Sequence, residues 1–219
     1  METRTALVTG AAQGLGQEFA VALAGRGYRV AGLDVVPQPR TAARILDYVE
    51  VVADAADEPR LLAGLARVLG HFGTLHVLVN AAGVHPERPF EETTAEDWRH
   101  VMRVNLEAPF LVTRAVLPHL KAAGWGRIVN IASAAVRTPP PETVPYAAST
   151  MGLIGLTRAL ATALTPHGIT VNAIAPAAPG PMGRLRPCDL ISTLLYVVDE
   201  GSGALTGQTL TVSGGPAHL

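Results

Sequence analysis

Thr9-Gly10-Ala11-Ala12-Gln13-Gly14-Leu15-Gly16 is the stretch on which the fold turns. It follows an apolar run, Thr5–Thr9, suited to a buried strand, and it opens an apolar segment of helical period, Leu15–Arg26. Glycines at 10, 14 and 16 permit a tight turn and let backbone amides approach a ligand. A helix N-terminus adds unpaired N–H groups and a partial positive charge. Strand, glycine turn and helix in that order describe a cradle for the pyrophosphate of a dinucleotide. The spacing is G-x-x-x-G-x-G, not G-x-G-x-x-G, so the turn alone is a weak signal and its neighbours must support it.

Outward from the turn, short β-rich runs alternate with longer segments of helical period. The pattern predicts strands at Thr5–Thr9, Arg29–Asp34, Tyr48–Val52, Leu75–Asn80, Arg127–Ile131, Thr170–Ala175 and Thr209–Val212. It predicts helices near Leu15–Arg26, Pro59–Phe72, Ala95–Ala122, Tyr146–Leu164 and Asp189–Val198. The strands are nearly continuous Val, Ile, Leu and Ala, as strands covered on both faces should be. The expectation is an α/β fold: a doubly wound parallel sheet (Rossmann fold) of about seven strands in three α/β/α layers. At 219 residues the chain is expected to form one dinucleotide-binding domain, 1–219.

Composition narrows the partners. A net charge of −1 supplies no field to gather nucleic acid or an anionic membrane, so neither is expected. No stretch reads as the ~20 apolar residues of a membrane span, and the N-terminus does not read as a signal peptide. Cys188 is the single cysteine; it excludes an intrachain disulfide, suits a cytoplasmic protein and is expected to be inert packing. Two proline clusters, Pro139-Pro140-Pro141 with Pro145 and Pro176, Pro179, Pro181 with Pro187, follow strand ends. They are either pocket walls at the ligand-binding edge or ordinary loop breakers.

Asp34 closes the second strand, where a carboxylate can accept hydrogen bonds from both hydroxyls of an adenosine ribose and would repel a 2′-phosphate. Gln13 precedes the second glycine and Val35 follows the acid, so no basic residue stands ready for that phosphate. NAD is therefore expected in preference to NADP.

In these pieces the chain resembles the short-chain dehydrogenase/reductase family, over nearly its whole length. The matching motifs are Thr9 to Gly16, Asp54 in Asp54-Ala55-Ala56-Asp57, Asn80-Ala81-Ala82-Gly83, Asn105 in Val104-Asn105-Leu106, Ser133 in Ile131-Ala132-Ser133, and Tyr146. The resemblance implies that Gly10, Gln13, Gly14, Leu15 and Gly16 hold the cofactor, that Asp54 meets its adenine, and that Pro176 borders the nicotinamide. Asn80, Ala81 and Gly83 would steady strand four beside it. It also implies hydride transfer between nicotinamide and a carbonyl or carbinol carbon of a small-molecule substrate. Tyr146 would give or take the proton, Ser133 would bond the substrate oxygen, and Asn105 would hold a water in the proton relay. Dimers or tetramers would form through Ala95–Ala122 and Tyr146–Leu164.

The chain departs from the family in two places. In Tyr146-Ala147-Ala148-Ser149-Thr150, threonine stands where the family carries a lysine whose ammonium favours the phenolate. Losing such a partner costs on the order of 10²–10³ in rate. Lys121 is the sole lysine and is expected at the far end of another helix, which leaves Arg137 or Arg184 from the proline loops as candidate stand-ins. After Pro176, where the family inserts a substrate lobe, the chain runs Ala177-Ala178-Pro179-Gly180-Pro181-Met182-Gly183 and reaches the last helix near Asp189. Three readings follow: an NAD(P)-dependent oxidoreductase of a specialised pathway, an impaired subunit that pairs with an active relative, and a non-redox enzyme such as a cyclase or dehydratase.

Overall fold

The computed structural model of the protein describes residues 3–177 and 185–213. Seven parallel strands form one sheet in the order β3-β2-β1-β4-β5-β6-β7. They are β1 (Thr5–Thr9), β2 (Arg29–Asp34), β3 (Val49–Val52), β4 (Val77–Asn80), β5 (Gly126–Ile131), β6 (Ile169–Pro176) and β7 (Thr209–Val212). The chain reverses its direction of winding between β1 and β4, and at such a switch point a crevice opens at the carboxyl ends of the strands.

Alternation along the strands assigns the two faces. Leu7 and Leu78 point to one side, where they meet Leu61, Leu65, Val112 and Val116. Their neighbours Ala6, Val8, Val77 and Val79 point to the other, against Phe19, Leu23, Leu190 and Leu194. The first layer is therefore built on α3 (Glu58–Phe72), α5 (Ala108–Ala122) and α6 (Val144–Leu164), and the second on α1 (Gly14–Gly25) and α7 (Pro187–Val197). Local signals set the helix ends. Asp57 accepts from Arg60 N at 3.3 Å to start α3, and Gly73, at φ 81°, ends it. Thr94 and Asp97 form a capping box at α4 (Ala95–Met102).

Four features differ from the sequence expectation. The helix expected over Ala95–Ala122 is α4 and α5 joined by one π turn, Arg103–Glu107, which places Asn105. The compact connection after β2 contains a four-residue helix, α2 (Pro39–Ala42), anchored by Gln38, which is fully buried and donates to Val51 O at 3.0 Å. Cys188 is exposed at the start of α7, not packed. By length and composition α6 with its flanking turns, Pro141–His167, is long and apolar enough to cross a membrane, although no stretch had read so. Ser149, Thr150 and Thr157 are buried along it.

Candidate active site

The glycine turn is shaped by contacts that exclude side chains. A Cβ on Gly16 would lie 2.2 Å from Gly10 O, and one on Gly10, at φ +70°, would lie 2.8 Å from Ala82 Cα. The close approach between turn and β4 loop is locked by Thr9, whose Oγ1 accepts from Ala81 N at 3.0 Å and Ala82 N at 3.1 Å. Gln13, the N-cap of α1, makes no side-chain bond to the helix, and no acid stands in its first turn. The first amides of α1 are thus left for an anion, and the cradle fits a diphosphate.

Asp34 sits against this turn. Its Oδ2 accepts from Ala12 N at 2.9 Å and its Oδ1 from Val36 N at 3.3 Å. It has no ion-pair partner among the described residues, and Arg44 pairs with Glu18 at 2.6 Å. Behind it, burial pushes the Tyr48 phenol well above its ordinary value, helped by the charges of Glu50 and Asp34. Asp54 accepts from Ala56 N at 2.8 Å and pairs with Arg103 at 2.9 Å.

A cavity of about 290 Å³ lies beyond the turn, at the carboxyl ends of β4, β5 and β6. Leu15, Ala81, Gly83, Asn105, Ser133, Tyr146, Thr150 and Pro176 all line it, together with His85. Ser133 follows β5 and caps a short 3-10 turn: its Oγ accepts from Ala135 N at 3.1 Å, which leaves its own hydrogen for a ligand. Tyr146 and Thr150 stand in the first turns of α6, on the same side. The Thr150 hydroxyl is nearly buried and makes no hydrogen bond among the described residues. Asn105 clamps the β4 loop, since its Oδ1 accepts from Val84 N and its Nδ2 donates to Val84 O, both at 2.9 Å. The same Nδ2 reaches Ser149 Oγ at 3.1 Å, and Ser149 donates to Tyr146 O at 2.9 Å.

Other sequence-predicted residues lie elsewhere. Asn80 is buried in the α5 and α6 layer, where Nδ2 donates to Asn130 Oδ1 at 2.8 Å, and it does not line the cavity. Lys121 is in the last turn of α5, just before β5 begins, and so at the opposite edge of the sheet. Arg137 is exposed and off the cavity wall, as are Pro139, Pro140 and Pro141. Arg184, Pro179 and Pro181 lie outside the described residues.

The family model "short chain dehydrogenase" matches residues 4–180. The chain belongs to the short-chain dehydrogenase family. Among its relatives is the (2S)-[(R)-hydroxy(phenyl)methyl]succinyl-CoA dehydrogenase subunit BbsD of Thauera aromatica, 34% identical over 98% of this chain and 97% of the relative. Among solved structures of the family, 3-ketoacyl-(acyl-carrier-protein) reductase from Brucella melitensis complexed with NADH superposes with a TM-score of 0.92 at 31% identity, covering 98% of both chains. Actinorhodin polyketide ketoreductase with NADPH superposes at 0.91 and 30% identity, covering 97% of this chain and 96% of that one. Family members thus bind either dinucleotide in this fold.

Two residues of the site carried no sequence signal. Arg103, the first residue of the π turn, pairs with Asp54 from the connection after β3. His85, two residues past the Asn80–Gly83 motif, lies with its ring centroid 4.1 Å from that of Tyr146.

Proposed function

We propose that this chain is an NAD-dependent oxidoreductase that interconverts a carbonyl and an alcohol, with Tyr146 as proton donor and acceptor. The observation that carries the reading is the meeting of Ser133, Tyr146, Thr150 and Pro176 around one cavity that opens beside the glycine turn. A nicotinamide dinucleotide, when bound, supplies or accepts the hydride. The first amides of α1, with Gly10, Gly14 and Gly16, hold its diphosphate, and Asp34 takes the ribose hydroxyls. The lone carboxylate of Asp34, without a basic neighbour paired to it, favours NAD over NADP. Ser133 donates its free hydrogen to the substrate oxygen, and Tyr146 moves the proton.

Thr150 stands where the family resemblance implies a lysine, so the charge that favours the phenolate is missing from α6. The aligned stretch shared with the Thauera relative, 241 residues, is longer than this chain's 219, so that relative carries residues that this chain lacks. This agrees with a shortened substrate lobe after Pro176 and a cavity open to a large substrate or a partner.

A second reading has specific support: a subunit that pairs with an active relative. The Thauera relative is itself named as a dehydrogenase subunit. An apolar groove of about 630 Å³ on α4, α5 and α6, lined by Trp98, Met102, Leu106, Phe110 and Leu156, offers the surface, for a second copy or a related chain. NADH and NADPH titrations followed by reduction assays on a panel of carbonyl compounds separate the readings. Tighter binding of NADH and a carbonyl reduction abolished by Tyr146→Phe are expected; a chain that binds NADH and reduces nothing by itself is the subunit of the second reading.

A further inference from the structure

Tyr146 must regain its proton after each reduction, and α6 offers only the neutral Thr150 one turn on. Among the described residues that line the cavity, His85 and Tyr146 are the two titratable side chains. Their rings touch, with centroids 4.1 Å apart and planes inclined by 59°. Tyr146 is half-buried and His85 exposed, so an imidazole open to solvent lies against the phenol ring.

The contact is held from both ends. Asn105 binds the N–H and the C=O of Val84, the residue before His85, each at 2.9 Å. Arg88 N donates to Glu142 O at 2.8 Å, which ties the far end of the loop to the turn leading into α6. The charged side chains on these segments are Glu87 and Arg88 beside His85 and Glu142 on the turn; Arg88 pairs with Asp97 at 3.2 Å, and none of the three lines the cavity.

We infer that His85 is the proton-exchanging partner of Tyr146, which rests on the oxidoreductase reading above. In reduction the carbonyl carbon takes a hydride from the reduced nicotinamide and its oxygen takes the Tyr146 proton. The new C–H and O–H bonds form as the C=O π bond, the C–H bond of the reduced nicotinamide and the phenol O–H bond break. The phenolate then takes a proton from the His85 imidazolium, and the neutral imidazole is reprotonated by water. Oxidation runs the same path backwards. Reduction consumes a proton through His85 and oxidation releases one, so the two directions respond oppositely to pH.

Carbonyl reduction is measured from about pH 5 to 8 for the parent, His85→Phe and His85→Ala, with NADH Kd as the control for an intact site. Phe keeps the ring contact and loses the proton; Ala leaves room for added imidazole. For His85→Phe we expect NADH binding within about two-fold of the parent, kcat down roughly 10²-fold and the neutral-range pH dependence gone. Imidazole in solution restores His85→Ala and leaves His85→Phe unchanged. Parent-like kcat and pH profile in His85→Phe, or no rescue of His85→Ala, overturns the inference alone. Loss of NADH binding in both variants overturns it by making His85 part of the cofactor cradle. A parent that binds NADH and reduces no carbonyl overturns the oxidoreductase reading and this inference with it.

Discussion

Asn80 Nδ2 donates to Asn130 Oδ1 at 2.8 Å, and that bond begins a buried polar ladder across the sheet into α6. Asn130 Nδ2 continues it to Thr157 Oγ1 at 2.9 Å, and Thr157 donates to Leu153 O at 2.8 Å. Asn130 is fully buried, so Asn130→Ala strips partners from Asn80 and Thr157 where water cannot replace them. The expected cost is about 2–4 kcal/mol of unfolding free energy, read as a lower urea midpoint.

The glycines divide into those that contacts demand and those that nothing demands. Gly16→Ala drives a Cβ into Gly10 O, so the turn must open, and NADH binding should be lost in titrations that detect a ~10²-fold weaker Kd. Gly70 lies exposed near the end of α3, with nothing within 4 Å of a Cβ placed there. Gly70→Ala should leave NADH affinity unchanged and raise stability by about 0.5–1 kcal/mol.

That division also marks what the sequence could disclose. Buried parallel strands and a glycine turn leave local traces, because composition and steric need act residue by residue. The strand positions and the order of elements were legible for that reason, whereas Ser133, Tyr146, Thr150 and Pro176 took their site roles from the family resemblance alone. The π turn at Arg103–Glu107 was not, since the apolar period runs through Ala95–Ala122 without a glycine to mark a break. The Arg103–Asp54 pair and the His85–Tyr146 contact were hidden because each joins segments far apart in the chain. Asn80 showed its motif but not its direction, which depends on Asn130 from the next strand.

Alkaline stability should depend on Tyr48. Burial chiefly, then Glu50 and Asp34, raise its pKa in the folded chain, so the folded state keeps the phenol protonated where the unfolded chain ionises. The contribution is complete below the ordinary phenol pKa near ~10 and is lost as pH climbs from there toward the folded value. Urea midpoints for the parent should fall above about pH 10. In Tyr48→Phe that fall should flatten, at a cost of about 1 kcal/mol at neutral pH for the bond to Gln38 Oε1. An equal alkaline fall in both proteins would place the ionisation elsewhere.

Thr150→Lys tests which group carries the missing charge. Thr150 lines the cavity one turn after Tyr146, so an ammonium on a four-carbon stem at this position enters the same space. If charge at this position is what limits the proton step, Thr150→Lys should raise kcat by on the order of 10². It should also make His85 less necessary, because two groups that serve one proton do not act additively. The double variant then decides. Thr150→Lys with His85→Phe should lose far less, relative to Thr150→Lys, than His85→Phe loses relative to the parent. Equal losses in the two backgrounds would mean that lysine and histidine act independently. Turnover that exists only with Thr150→Lys would mark the parent as the non-catalytic member of a pair.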